Sequence, residues 1–155
     1  MTMAVQRNDP YGAFNFLVSL GGDQGSGDEG TIVGGFSDVS GLGFEVQFAE
    51  YRNGNEKVNT VRKIQNSFKV DDVTLKRGVI GSVDLFRWLQ EVREGTIDAR
   101  NVTISLLDEA RNTVGTWKLL SAQPKKWTGP TLAAKGGTES AMEELVLSPQ
   151  GIEYS

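Results

Sequence analysis

The sequence predicts a mainly β protein with one amphipathic helix laid against its sheet. Two observations carry this. Apolar and polar residues alternate in run after run, at Phe14-Phe16-Val18-Leu20, Leu42-Phe44-Val46-Phe48 and Val102-Ile104-Leu106, the period of a half-buried strand. The period changes convincingly in one place. Leu85, Trp88, Leu89 and Val92 fall at i, i+3, i+4 and i+7, and so form the core face of a helix. A lone helix in a strand-rich chain has one obvious task, to cover an apolar sheet face.

In chain order, residues 1–12 read as a polar arm that ends in the turn-prone Asn8-Asp9-Pro10-Tyr11-Gly12. A first strand spans Phe14 to Leu20. Gly21 to Gly30 is a glycine-rich acidic loop, and a short strand, Thr31 to Phe36, follows it. The strand from Leu42 to Ala49 turns Phe44, Val46 and Phe48 to the core and Glu45 and Gln47 away from it. Tyr51 to Gln65 is too polar to build core and too long for an ordinary hairpin turn, so a hairpin projecting from about 45 to 70 is expected. Strand character resumes from Phe68 to Leu75. Ser82 is placed to cap the helix, Asp84 suits its first turn, and Gly95 suits the left-handed position after its last. Beyond it come a strand at Val102–Leu106, a turn at Asp108–Asn112 and a partner strand carrying Trp117 and Leu119. A break is expected at Ala122–Pro130, then a last strand near Ser140–Leu147 and an irregular tail. The whole, 1–155, reads as one domain.

Composition narrows the function. Twenty acids against sixteen bases give a net charge of −4 with both signs interspersed, which argues against a basic nucleic-acid footprint. The first residues lack an apolar signal core, and no apolar run is long enough to span a membrane, so a soluble protein is expected. With no histidine and no cysteine, the usual nucleophile–base pairs and zinc sites are unavailable. Glu143 with Glu144, or Asp71 with Asp72, would point to opposite faces of a strand and not converge. Asp23, Asp28 and Glu29 match no calcium-loop spacing. A sugar-stacking platform from Trp88, Trp117 and Trp127 is disfavoured, because the first two fall at core positions and Trp127 alone is placed for the surface. No catalytic residue, metal or cofactor is expected.

An ordered set of motifs then gains weight. Asp9-Pro10-Tyr11, Gly35-Phe36-Ser37-Asp38-Val39-Ser40-Gly41-Leu42, Glu50-Tyr51-Arg52, Leu75-Lys76-Arg77-Gly78-Val79, Leu85-Phe86-Arg87-Trp88-Leu89, Leu107-Asp108-Glu109-Ala110, Trp117 and Ala122-Gln123-Pro124-Lys125-Lys126-Trp127 follow one another along nearly the whole chain. In order and spacing the chain resembles the tail tube proteins of contractile phages and of related contractile injection systems. That resemblance implies a β-barrel-like sandwich flanked by one helix, closed into homo-hexameric rings that stack into a hollow tube. It implies a sheath protein, a baseplate hub or spike and a tube terminator as partners, with cargo or DNA in the lumen. It further implies assembly in the cytoplasm into a virion tail or an injection particle. On this reading Glu45 and Gln47 face a wet lumen, although the alternation by itself favours a strand that simply faces solvent. Tyr51, Arg52, Glu56, Lys57, Arg62 and Lys63 of the projecting hairpin would contact neighbouring subunits and rings. The Gly21–Gly30 loop and Gln123 depart from the family pattern and suit a specialised ring near a baseplate. The alternatives are a single-ring, non-stacking relative and a β-sandwich hydrolase or carbohydrate-binding module.

Overall fold

The computed structural model describes residues 4, 7–21, 36–52, 54, 61–79, 83–136 and 140–155. The glycine-rich loop from position 22 onward, the strand expected over 31–35, Glu56, Lys57 and the Ser82 cap therefore lie outside the described residues.

Nine strands and one helix are described: β1 (Phe16–Leu20), β2 (Asp38–Ser40), β3 (Phe44–Tyr51), β4 (Arg62–Val70), β5 (Val73–Gly78), α1 (Asp84–Arg93), β6 (Arg100–Leu107), β7 (Thr113–Thr128), β8 (Met142–Ser148) and β9 (Gly151–Tyr154). One antiparallel sheet runs β1-β6-β7-β8-β5-β2, with β9 also paired to β7. The long β7 belongs to both halves. Its first part pairs with β6 and β9, and its second part pairs with β8. Between them Ser121 takes a left-handed φ of 48°, and there the strand passes from one half to the other. Side chains from both halves then meet: Val18, Leu20, Val102, Ile104 and Leu119 against Val73, Leu75, Leu145 and Leu147, with Leu85 and Trp88 of the helix among them. The fold is mainly β with one helix, a folded-over sandwich and not a barrel, because the sheet does not close.

Three strand expectations are corrected. The break expected at Ala122–Pro130 is absent, since β7 runs through Pro124; a register shift between Pro124 and Lys126 absorbs the missing N–H donor. The tail is not irregular, because Ile152 and Tyr154 sit opposite Leu119 and Trp117 in β9. Phe14 is not part of the first strand's inner face but lies before β1, 77% exposed.

In the helix, Leu85 and Trp88 are buried, whereas Leu89 and Val92 are half-buried. The Trp88 indole N–H donates to the Asp98 carbonyl at 2.8 Å, so its polar edge is satisfied inside. The helix starts after Val83, and no side chain among the described residues caps it. At the other end Gly95, φ 98°, donates to the Val92 carbonyl and Thr96 to the Glu91 carbonyl, the paired bonds of a Schellman stop.

Candidate assembly surface

The long segment between Leu42 and Asp72 forms a two-stranded ribbon, β3 with β4, that pairs with no other strand among the described residues. It continues β2 and β5 outward. The chain leaves the sandwich at Gly41, φ 88°, where a side chain would meet the Asp72 carbonyl at 2.1 Å, so glycine is required on both counts. Asp71 N–H donates to the Gly43 carbonyl and ties the two exits together.

Register sorts the ribbon into two faces. Phe44 opposes Val70, Val46 opposes Phe68 and Phe48 opposes Gln65, with Gln47 facing an extra residue on β4. Period 2 puts Phe44, Val46 and Phe48 on one side, and the direct pairing of Phe44 with Val70 and Val46 with Phe68 adds those two to it. Glu45 opposes Lys69 on the other side, where the Ser67 hydroxyl donates to Gln47 Oε1 at 3.2 Å. Farther out, Glu50 pairs with Lys63 and Tyr51 with Arg62, so opposite charges and a cation–aromatic pair stand across the distal strands. Arg52 lies just beyond.

Here the core expectation for β3 fails. Phe44, Phe48 and Phe68 are 60%, 58% and 64% exposed, because the ribbon stands clear of the sandwich and nothing described covers its apolar side. Single exposed apolar residues are ordinary, but a contiguous aromatic strip marks an interaction surface. At the ribbon's base the strip runs into an open socket of about 310 Å³ lined by Leu42, Gly43, Phe44, Trp117, Ile152 and Tyr154. In its lining the Trp117 and Tyr154 rings stack with centroids 4.9 Å apart. Sequence reasoning saw the alternation of Phe44, Val46 and Phe48 but took the apolar face to be core.

Two further clusters were not foreseen. Arg77, 2% exposed, donates to Glu143 of β8 and to Asp84 in the first turn of α1, and its guanidinium lies over the Phe36 ring. Burial by itself would lower its pKa, but the hydrogen bonds to Asp84 and Glu143 more than offset this and hold it raised. Trp127, expected at the surface, is half-buried instead. Its indole N–H donates to Glu143 at 3.2 Å, and its ring meets Phe86 edge-on. The second cluster anchors the arm: Arg7 forks onto both carboxylate oxygens of Glu109 and lies over the Tyr11 ring. The three tryptophans share no open platform. Among the described residues no group of histidine, cysteine, aspartate and glutamate is arranged to hold a metal ion, and no helix is long and apolar enough to cross a membrane.

The family model of the T4-like virus tail tube protein gp19 matches residues 12–153. No curated protein sequence matches the chain. Among solved structures it is similar to a chain of the PVC sheath-tube complex in the extended state, an extracellular contractile injection system, at 28% identity over 94% of this chain and 91% of the other, with TM-score 0.78. It is similar to a chain of the anti-feeding prophage baseplate, six-fold symmetrised, at 25% identity over 96% and 97%, with TM-score 0.83. At 14% identity, Hcp1 from Flavobacterium johnsoniae shares the fold alone, with 90% and 94% covered and TM-score 0.52.

Proposed function

The chain belongs to the T4-like tail tube protein family, and from that premise we propose that it is a structural protomer of the inner tube of a contractile injection system or phage tail. Copies close into hexameric rings, the rings stack, and the bore conducts cargo or DNA. The observation that supports self-assembly most directly is the uncovered aromatic strip Phe44-Phe48-Phe68 on a ribbon held clear of the core. A neighbouring copy covers it, and burying each such side chain contributes roughly 1.5–3 kcal/mol. The ribbon's distal residues, Tyr51, Arg52, Glu56, Lys57, Arg62 and Lys63, contact the next subunit or ring. The polar face with Glu45 and Gln47 turns to the lumen. A sheath, a baseplate hub or spike and a terminator bind the finished tube, and no reaction is catalysed.

Negative-stain microscopy and sedimentation of the purified protein test this reading. Tubes or stacked rings are expected from the native chain, and isolated rings would identify a non-stacking relative. Phe48→Ser combined with Phe68→Ser is expected to stay folded and monomeric. A native protein that is monomeric at every concentration rules the proposal out.

A further inference from the structure

Every protomer of a ring needs two different surfaces, one that gives and one that receives, because a head-to-tail contact is heterologous. The receiving surface is a socket beside the last strand. The socket of Leu42, Trp117, Ile152 and Tyr154 opens beside β9, which pairs with β7 at one edge of the sheet half ordered β1-β6-β7-β9. The opposite edge is β1, and directly before it stands Phe14, 77% exposed. Its ring is not adrift: it lies over Gly12, where even a methyl group would approach within 2.6 Å of it. Ile97 and Leu132 are also exposed, but Ile97 precedes the interior strand β6 and Leu132 follows the other half of the sandwich, where β7 pairs with β8.

Resting on the tube reading, we infer that Phe14 of one copy seats in the Leu42–Trp117–Ile152–Tyr154 socket of the next, and that this contact closes the ring. An aromatic ring entering the mouth of a stacked Trp–Tyr pair gains edge contacts beyond the area it buries. The two surfaces are offset along the strands. Val18 pairs with Ile104, Ile104 with Trp117 and Trp117 with Tyr154, so Phe14 lies four residues, about 13 Å, from the socket's row. A constant offset between neighbours tilts the strands to the ring axis, as closure of a strand-built wall requires.

The chain has no cysteine of its own, so disulfide trapping reads the contact without background. In a Phe14→Cys/Tyr154→Cys double variant the two positions sit at opposite edges of one subunit and cannot bridge within it. Oxidation of the assembled protein is expected to give a non-reducing ladder ending at the closed ring. Each single variant should give none, and a mixture of the two singles should give one heterodimer. Phe14→Ser should raise the concentration needed for assembly at least tenfold with an unchanged melting temperature. Rings by microscopy without the ladder would overturn this contact and leave the tube reading standing. So would trapping of Tyr154→Cys by Ile64→Cys, which would put a neighbour's ribbon in the socket. A native protein that never assembles overturns both.

Discussion

At the scale of single residues, Arg77 is the buried charge whose loss leaves a partner stranded. Two carboxylates, Glu143 from β8 and Asp84 from the helix, face one buried guanidinium, so the cluster joins the second sheet half to α1. Its pKa is raised, so the stability linked to protonating the guanidinium is fully present below the ordinary arginine value and is lost as pH rises from there through the raised one. Arg77→Met leaves Glu143 buried without its charge partner, and a loss of about 3–5 kcal/mol is expected in denaturant melts. Adding Glu143→Leu should recover much of it; a single variant as stable as the native chain would show that the cluster does not hold the helix. The alternation already contained this residue, since Val73, Leu75 and Arg77 fall on one face of β5. A charge among apolar neighbours was passed over because a lone strand does not show what stands opposite. The Arg7–Glu109 fork behaves differently. Hydrogen bonding to Arg7 lowers the Glu109 pKa, so the clamp is intact above the usual carboxylate range and is lost as pH falls through the lowered value. Trypsin should cut after Arg7 faster at matched activity in Glu109→Gln than in the native chain, and equal rates would show that the arm is not anchored there.

At the scale of elements, two glycines with left-handed backbones make opposite predictions about magnitude. Gly95 ends α1 with open space around its missing side chain, so Gly95→Ala should cost only the conformational strain, about 1–2 kcal/mol. Gly41 carries the same strain and also faces the Asp72 carbonyl, so Gly41→Ala should lower the melting temperature further and shift the ribbon's exit. Equal melts would mean that the ribbon junction yields without cost. The helix itself was legible because its 3.6-residue stripe, first-turn Asp84 and terminal Gly95 agree with one another. The Asp108–Asn112 turn was legible for a similar reason: Asp108 Oδ1 accepts the Asn112 N–H at 2.8 Å, and Arg111 takes φ 65°. β7 was not legible beyond Ser121, because proline and glycine signals there describe local backbone and say nothing of a bulge that lets a strand change partners. The ribbon was half legible. Its length and polarity announced a projection, but period 2 is the same whether a face meets the core or a second molecule.

At the scale of the whole molecule, the core and the ribbon are energetically separate. No described residue from Phe44 to Val70 belongs to the buried cluster or to the half-buried residues packed on it. The core therefore does not draw on the ribbon, and the ribbon's apolar strip adds exposed surface that, on the proposed assembly, another copy covers. On the proposed assembly its charge pattern helps to align copies: Glu50 faces Lys63 and Glu45 faces Lys69 within the ribbon of a chain that is acidic in sum. Charges of this kind fix register between neighbours more than they add affinity, and salt screens them over about 8–10 Å. Replacing residues 53–61 with a short Gly-Ser linker removes the ribbon's outer reach and leaves the aromatic strip in place. The expected product is folded and soluble, with the native melting temperature, forming short or single rings in place of long tubes. Raising the salt should shorten native tubes in the same direction. Sedimentation together with negative-stain length distributions reads both effects, and native-length tubes from the shortened chain would remove the ribbon tip from the stacking contact.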